Sequence, residues 1–249
     1  MSVIAIILAA GKGTRMKSDQ AKVLHTAAGR PLLVWVLDSL GGVAVDQTVA
    51  VIGYQAEAVA EVLPAGVSAA IQHEQRGTGH ATQVGLGAAD VSPDDVVLVL
   101  LGDMPLITPA TLRSVLFVHE QTGAAATLLS VILEEDSAFG RVLRRNGHVV
   151  GIVEVRDATP EQLAVREMNT SVYAFRAAHL VAALEQLRPD NDQGELYLTD
   201  VIGILVASGH AVAAVVLPDP DEARGVNTLA ELDAVSELLA ARGTGSDPE

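Results

Sequence analysis

Continuous apolar runs alternate with amphipathic segments along the first half of the chain. The runs are rich in β-branched residues and apolar on both faces, which is typical of central strands in a parallel sheet. They lie at Val3–Leu8, Val49–Gly53, Val67–Gln72 and Asp95–Leu101. Segments with helical periodicity follow them at residues 32–40, 55–63, 78–89 and 109–121, and Thr108 is placed to cap the last. This alternation predicts an α/β fold with a doubly wound, mostly parallel sheet and right-handed crossovers.

The pattern changes to short strands between about residues 124 and 175. Strand-like runs are found at Ala125–Leu133, Arg141–Arg144, His148–Val155 and Met168–Phe175. Asn146-Gly147 separates the middle two and is a strong hairpin signal, so we predict an antiparallel β insertion here. After residue 175 the pattern again predicts helices and a strand. The helices are at 177–187, 198–208 and 228–241, and the strand is at 211–217. A single domain over residues 1–241 and a polar tail over 242–249 are therefore expected.

Composition and charge narrow the class of protein. The 249 residues include no cysteine, which excludes a disulfide framework, a thiolate zinc site and a cysteine nucleophile. No apolar run approaches the roughly 20 residues that span a bilayer, and no basic residue precedes Val3–Ala10 as it would in a secretory signal. The net charge of −15 argues against a nonspecific binder of nucleic acid or anionic membranes. We expect a cytoplasmic protein.

The few lysines are clustered. Lys12, Lys17 and Lys22 are the three lysines of the sequence, with Arg15 among them and Asp19 as the one acidic residue in the stretch. Genomic base composition explains the scarcity of lysine but not the clustering. In so acidic a chain, these four cations predict a local positive site for an anionic ligand such as phosphate.

Three motifs follow strands at the edge where open α/β sheets bind ligands. Residues 8–16 (LAAGKGTRM) come directly after the first strand, and their small residues and successive N–H groups suit a phosphate. Met16 stands where a dinucleotide fingerprint needs a third small residue, and the Gly-Lys-Ser/Thr ending of a P-loop is absent, so we expect neither site. The alternative interpretation is a glycine-rich turn that binds no ligand. The clustered lysines favour the phosphate site.

The second and third motifs offer contacts to a metal and to a base. Gly102-Asp103 ends the most apolar strand, where one carboxylate can hold Mg²⁺ together with phosphate oxygens and water. Gln72 ends another strand and precedes the turn Gly77-Thr78-Gly79, so its amide can read a base while the glycines admit a flat ring. Taken alone, each motif also fits an ordinary turn.

The order of these motifs resembles that of the sugar-phosphate nucleotidyltransferases. The strings LAAGKGTRM, AKVLH and AGRPLL are followed by EQRGTGHA, GDMPL, FGRV, GIVEVRDAT, EMNTSVYAF, DNDQGELYLTD and GVN, which extend to about Asn227. LAAG and GD are shared across nucleotidyltransferases, whereas KVLH, GTGHA, GIVE with DAT, and YLTD are more specific. Their combination is most similar to the uridylyltransferase half of the bifunctional N-acetylglucosamine-1-phosphate uridylyltransferase/glucosamine-1-phosphate acetyltransferase family.

The resemblance implies a Rossmann-like nucleotide-diphospho-sugar transferase fold and a role for each matched residue. It assigns catalysis to Arg15, Lys22 and Asp103. It assigns nucleotide binding to Leu8, Ala9, Ala10, Gly11, Lys22, Gln72, Gly77, Thr78, Leu101, Gly102 and Asp103. It assigns sugar binding to Gly140, Glu154 and Asn169, with residues 124–175 on the sugar side, and Mg²⁺ binding to Asp103 and Asn227.

The implied reaction is uridylyl transfer from UTP to N-acetylglucosamine 1-phosphate. Its products are pyrophosphate and UDP-N-acetylglucosamine, a precursor of cell-wall peptidoglycan. The acceptor phosphate is already ionised near neutral pH, so the reaction needs no general base, in keeping with the lack of an acid–base dyad in the sequence. Two alternatives remain: a related sugar-phosphate or cytidylyl transferase with another acceptor, and a catalytically silent nucleotide-sugar-binding protein.

The chain departs from the family pattern at four matched positions. These are Ala21 for proline, Ser171 for glycine, Leu196 for tyrosine and Leu229 for arginine. Ser171 is expected to narrow the sugar pocket. No hexapeptide repeats of the acetyltransferase β-helix follow residue 241, so we expect that half to be absent and the protein to be a monomer or a weak oligomer. Whether the chain is an excised domain or a stand-alone enzyme is left open by the sequence.

Overall fold

A central sheet carries the fold. In the computed structural model, which describes residues 1–135 and 137–244, nine strands form one sheet and two short strands form a separate hairpin. The strands are β1 (Val3–Ala9), β2 (Thr26–Ala27), β3 (Arg30–Pro31), β4 (Gln47–Ile52), β5 (Val67–Ile71), β6 (Val96–Leu101), β7 (Ala126–Ile132), β8 (Arg141–Arg145), β9 (His148–Val153), β10 (Glu167–Arg176) and β11 (Val212–Val216). Their order in the large sheet is β11-β7-β10-β6-β1-β4-β5, and β8 and β9 join it through β10.

The seven strands from β11 to β5 are parallel except for β10, and the joined hairpin β8–β9 is antiparallel. The neighbours β1, β4, β5 and β6 pair in parallel, as do β7 and β11. β10 lies antiparallel between β6 and β7, with Tyr173 opposite Val99 on one side and Leu128 on the other. The predicted doubly wound, mostly parallel sheet is therefore confirmed.

Helices cover both faces of the sheet. They are α1 (Leu32–Ser39), α2 (Ala56–Glu61), α3 (Thr78–Gly87), α4 (Pro109–Thr122), α5 (Pro160–Leu163), α6 (Ala177–Leu184), α7 (Asp200–Ala207) and α8 (Leu229–Thr244). Side chains alternate along β1, so that Ala5 and Ile7 pack in one core with α1, α2 and α4, while Ile4 and Ile6 pack in another with α3, α6 and α7. Among the residues that the structure describes, no helix combines the length and the apolar composition needed to cross a membrane.

The segment between residues 124 and 175 is less separate than the sequence predicts. β7 and β10 are strands of the central sheet, and the hairpin β8–β9 alone projects from it. β7 is buried along nearly its whole length, as a strand covered on both faces must be. The predicted hairpin turn is confirmed, because Asn146 and Gly147 both have positive φ, at 52° and 81°.

The C-terminal helix is longer than predicted. α8 continues through residues 242–244, so the predicted polar tail is wrong for those three positions. The last turn is held by Arg242, whose guanidinium donates to the carbonyl of Leu106 at 2.7 Å and lies 3.6 Å from Asp219. The remainder of the predicted tail, 245–249, lies outside the described residues.

Gly85 allows α3 to pack closely on the sheet, and its replacement provides a test of this packing. A Cβ at this position would lie 2.6 Å from Cγ2 of Ile6 and 2.9 Å from Cγ2 of Val51, both fully buried. Gly85→Ala is therefore expected to lower the free energy of unfolding by about 1–3 kcal/mol, measured by urea denaturation. Gly87→Ala on the same helix meets no atom within 4 Å and is the matched control, expected to be neutral or stabilising. Equal stability of the two variants would contradict the close packing.

Candidate active site

A cleft of about 450 Å³ opens at the carboxyl edge of the sheet. It lies beyond β1 and β6, where the strand order reverses, because the chain first adds β4 and β5 on one side of β1 and then β6 on the other. The predicted residues that line it are Leu8, Ala9, Ala10, Gly11, Arg15, Lys22, Gln72, Gly77, Thr78, Leu101, Asp103, Glu154 and Asn227. The other predicted residues, Gly102, Gly140 and Asn169, are not part of the lining.

Two cations and two oxygen ligands meet in this cleft. The ammonium of Lys22 forms an ion pair with Oδ2 of Asp103 and donates a hydrogen bond of 3.0 Å to Oδ1 of Asn227. The guanidinium of Arg15 donates to the same Asn227 oxygen at 2.8 Å. The backbone N–H of Val226 donates to the carbonyl of Asp103 at 3.0 Å and so holds the segment that carries Asn227 beside the end of β6. Residues distant in the sequence therefore form one charged site.

The loop after β1 packs against Lys22 through Gly13. This residue has a φ of 71°, and a Cβ here would lie 2.6 Å from Cβ of Lys22, so no other residue fits without moving the loop. Within the described part of the chain, the backbone N–H groups of Gly11, Lys12 and Gly13 donate no hydrogen bond. They are free to bind an anion, which is what the glycine-rich motif predicts.

The structure separates the three lysines. Lys22 lines the cleft, whereas the ammonium of Lys12 lies 5.2 Å from the centre of the Tyr54 ring. Lys17 is exposed and ends a short 3₁₀ turn over Thr14–Met16. The positive site is therefore narrower than the sequence predicts, because the turns after Gly11 place Arg15 and Lys22 in the cleft but not the other two cations.

Gln72 is held at the cleft wall through its own amide group. It is 3% exposed, and its Nε2 donates to the carbonyl of Gly77 at 3.2 Å and lies 3.1 Å from Nδ1 of His80. The amide oxygen is then the group that Gln72 can offer to a ligand. Gly77 has a φ of 101°, and a Cβ here would lie 2.6 Å from the carbonyl oxygen of Leu196. The turn that orients Gln72 thus requires glycine.

Glu154 follows β9 and lines another part of the cleft. Burial raises the pKa of its carboxyl group, an effect that a 3.0 Å hydrogen bond from the hydroxyl of Thr199 opposes and the carboxylates of Asp200 and Asp157 reinforce. A Cβ on Gly140 would lie 3.5 Å from the carboxyl carbon of Glu154. Gly140 therefore lies directly behind Glu154.

Asn169 is buried beneath this part of the cleft. It is 1% exposed, and its backbone N–H donates to the carbonyl of Gly140 at 2.8 Å. Its side-chain amide donates to the hydroxyl of Tyr173 at 2.7 Å and to that of Ser171 at 3.3 Å. The structure thus places Asn169 next to the predicted sugar-binding residues but turns its amide towards the protein.

Asp103 and Asn227 suit a hard divalent cation. Their side-chain oxygens both contact the single ammonium group of Lys22, so they converge on one point. Mg²⁺ prefers oxygen ligands and takes one or two from protein side chains when phosphates and water supply the rest. Among the described residues, no group of three or more histidine, aspartate or glutamate side chains could hold a metal by itself. The donor set thus fits a cation that arrives with a phosphate ligand.

Sequence reasoning did not select two residues that shape the cleft. Gln75 lines it and donates to the carbonyl of Ala10 at 3.2 Å, which ties the loop after β5 to the loop after β1. Arg141 is buried and donates to the carbonyls of Ser137 and Phe139, which holds the segment in front of Gly140 against the cleft. Gln75 lies in the string EQRGTGHA and Arg141 in the string FGRV. Their position in these family-like strings could have identified them as site residues.

The raised pKa of Glu154 predicts that its replacement by glutamine stabilises the fold, and that this stabilisation depends on pH. An ionised carboxylate whose folded-state pKa lies above its ordinary 4.5 destabilises the fold, and protonation at lower pH removes that cost. Glu154→Gln is therefore expected to raise the free energy of unfolding at about pH 8, by a margin that shrinks as the pH falls towards the ordinary pKa. Urea denaturation across this range measures it, with the exposed Glu120→Gln as control. A constant margin would show that burial of the charge is not the cause.

The sequence matches one family model and is similar to several named proteins. The family model for the MobA-like NTP transferase domain matches residues 5–201. Bifunctional protein GlmU of Corynebacterium aurimucosum is 46% identical over 246 residues, which are 96% of this chain and 50% of that protein. Bifunctional protein GlmU of Heliobacterium modesticaldum is 46% identical over 241 residues, 96% of this chain and 52% of that protein. The corresponding protein of Mycolicibacterium vanbaalenii is 45% identical over 245 residues, 95% of this chain and 50% of its own length.

The chain thus spans about half the length of the curated relatives it matches. The family model covers β1 to the start of α7, which includes most of the strands and residues that form the cleft. Because this model matches residues 5–201, well over half of the chain, the chain belongs to the family of MobA-like NTP transferase domains.

Proposed function

We propose that the chain transfers a uridylyl group from UTP to N-acetylglucosamine 1-phosphate, giving UDP-N-acetylglucosamine and pyrophosphate. The observation that carries the proposal is the meeting of Arg15, Lys22, Asp103 and Asn227 in one cleft with Gln72. Such a site has cations for phosphate, oxygens for a divalent metal and an amide for a base. The similarity to bifunctional GlmU proteins supports uridine and N-acetylglucosamine as the specific groups.

The orientation of Gln72 fits uracil as the base. Because its Nε2 faces the Gly77 carbonyl and His80, the amide oxygen is left to face a base. That oxygen can accept a hydrogen bond from N3–H, a group that uracil carries and cytosine lacks. The free N–H groups of the loop after β1 are the donors that this proposal assigns to the triphosphate.

The reaction is an in-line displacement at the α-phosphorus of UTP. An ionised oxygen of the acceptor phosphate forms the new P–O bond, and the bond from the α-phosphorus to the bridging oxygen breaks as pyrophosphate leaves. Both reactants are anions, so Arg15 and Lys22 contribute by neutralising charge and by fixing the two phosphates in line. No proton needs to be transferred, because the attacking phosphate is already ionised.

Asp103 and Asn227 are the residues that would hold Mg²⁺ in this proposal. When bound, the ion neutralises charge on the phosphates and draws them into one geometry. Lys22 contacts both of these oxygens in the structure. In this proposal its ammonium would pair with a phosphate, and Mg²⁺ would be held by the oxygens of Asp103 and Asn227.

The acceptor sugar is assigned to the side of the cleft lined by Glu154 and Phe139, with Gly140 directly behind Glu154. The carboxylate of Glu154 can accept hydrogen bonds from sugar hydroxyls, and its fixed position on Thr199 limits which hydroxyls it meets. Since UTP and sugar phosphates are metabolites of the cytoplasm, we assign the reaction to that compartment.

Pyrophosphate release with each pair of nucleoside triphosphate and acceptor tests the proposal. UTP with N-acetylglucosamine 1-phosphate is expected to give the highest kcat/KM, and EDTA is expected to abolish turnover that Mg²⁺ restores. Faster turnover of CTP with an acceptor that is not a sugar phosphate would identify a different nucleotidyltransferase. Binding of UDP-N-acetylglucosamine without turnover of any pair would identify a binding protein.

A further inference from the structure

Ser171 stands in a backbone conformation that serine rarely adopts. Its φ is 62°, in the left-handed region. The cause is an irregularity of β10, where three residues, Thr170–Val172, lie opposite the single residue Leu129 of β7. The hydroxyl of Thr170 secures this bulge by donating to the carbonyl of Leu129 at 2.8 Å. Bulges of this kind redirect side chains next to functional sites.

The bulge lies at the level of the cleft. Tyr173 of β10 pairs with Val99, which is two residues before the cleft-lining residue Leu101 of β6. Ser171 is two residues before Tyr173 on the antiparallel strand, so it lies beside the carboxyl end of β6. Asn169, two residues before Ser171 on β10, donates its backbone N–H to the carbonyl of Gly140, which lies behind Glu154. Ser171 is half-buried, whereas Asn169 and Tyr173 are fully enclosed.

Ser171 uses up the hydrogen-bonding capacity of Asn169. One N–H of the Asn169 amide donates to the hydroxyl of Tyr173 at 2.7 Å, and the other donates to the hydroxyl of Ser171 at 3.3 Å. The amide oxygen accepts the backbone N–H of Ser171 at 3.3 Å. An amide has two donor hydrogens, so Asn169 has none left for a ligand. The longer bond, to Ser171, is the weaker of the two.

We propose that Ser171 is a specificity-determining residue that competes with the acceptor sugar for one N–H of Asn169. This inference rests on the proposed function, because it concerns the acceptor of that reaction. With glycine at 171, that N–H would lose its protein partner, and the missing side chain would leave space through which a polar group of the sugar could reach it. With serine at 171, the hydroxyl of Ser171 accepts this N–H. The acceptor sugar then binds more weakly, and discrimination between different sugars is lower.

The test compares Ser171→Gly with Ser171→Ala. Glycine removes the hydroxyl and opens the path to Asn169, whereas alanine removes the hydroxyl and keeps a methyl group over it. Ser171→Gly is expected to lower KM for N-acetylglucosamine 1-phosphate by about threefold to tenfold, the effect of one neutral hydrogen bond, with KM for UTP unchanged. Ser171→Ala also removes the competing hydroxyl, so it is expected to lower this KM as well, but by less than glycine does, because its Cβ remains. The thermal midpoint of Ser171→Gly is expected to rise, because glycine adopts this φ without strain.

A double-mutant comparison separates competition from a merely structural role. In an Asn169→Ala background, Ser171→Gly is expected to have no effect on KM for the acceptor, because the contested donor is gone. An unchanged or raised acceptor KM in Ser171→Gly, with the wild type active, would overturn the inference and leave the proposed function intact. Absence of turnover in the wild type would overturn both.

Discussion

Asp103→Asn is expected to lower kcat/KM for uridylyl transfer by about 10²–10³-fold, the range found when one electrostatic group of a transition state is removed. Asparagine keeps the size and one oxygen of the side chain but not its charge. The variant therefore loses the ion pair with Lys22. The two oxygens at positions 103 and 227 are also expected to bind Mg²⁺ more weakly, because one of them no longer carries a charge. The loss is expected mainly in kcat, with a raised requirement for Mg²⁺, and is measured by pyrophosphate release across a magnesium titration.

The fold is expected to survive this change. The position lies at the cleft, where the N–H of Val226 still donates to the backbone carbonyl of residue 103, and Lys22 still donates to Asn227. Far-UV circular dichroism and the thermal midpoint check this. Asp38→Asn is the matched control, because Asp38 forms an ion pair with Arg30 on the surface, where both side chains are well exposed. Near-normal turnover of Asp103→Asn would remove Asp103 from the metal site.

Lys22→Met is expected to raise KM for UTP and to lower kcat, with a combined loss of about a hundredfold in kcat/KM. Methionine keeps the aliphatic stem that packs against Gly13 but removes the ammonium that neutralises phosphate. Lys17→Met is the control, since Lys17 belongs to the same stretch and is exposed away from the cleft lining. It is expected to change kcat/KM less than about threefold, in keeping with its exposure.

Lys22→Met has a second expected result that does not depend on turnover. In the wild type, the ammonium lies between Asp103 and Asn227 and competes with a metal ion for their oxygens. Without UTP, Mg²⁺ is therefore expected to raise the thermal midpoint of Lys22→Met more than that of the wild type. An unchanged kcat/KM would show that Lys22 does not bind phosphate. An equal response to Mg²⁺ would show that Asp103 and Asn227 do not form the metal site.

Local signals predicted the elements of the fold well. Thr108 caps α4 by accepting the N–H of Thr111, and Asn146-Gly147 forms the β8–β9 turn, because both depend on residues next to one another in the chain. The pairing of β10 could not be predicted in this way. Its neighbours β6 and β7 are both apolar, and no local pattern distinguishes a strand of the central sheet from one of an insertion. The two-residue strands β2 and β3 are too short to leave a periodic signal.

The site was predictable where residues follow strands and less so elsewhere. Leu8–Gly11, Gln72 and Asp103 lie at the carboxyl ends of β1, β5 and β6, so topology alone brings them together. Asn227 joins them from a loop that the parallel sheet does not position, and the resemblance was needed to find it. The inward turn of the Asn169 amide depends on the bulge at Ser171, a detail that strand patterns do not contain.

Because β10 runs in the reverse direction, substitutions at the two ends of the cleft are expected to differ in their effect on stability. The proposed nucleotide contacts lie in loops beyond the ends of parallel strands, where substitutions and insertions leave the sheet ladder intact. β10 enters the sheet from the cleft side, so Asn169 and Ser171, which we assign to the acceptor side, also belong to a strand with buried partners. A change of acceptor therefore carries a cost in stability that a change of nucleotide does not. Directed evolution of this scaffold towards new sugars should therefore start from a variant stabilised by substitutions away from β10.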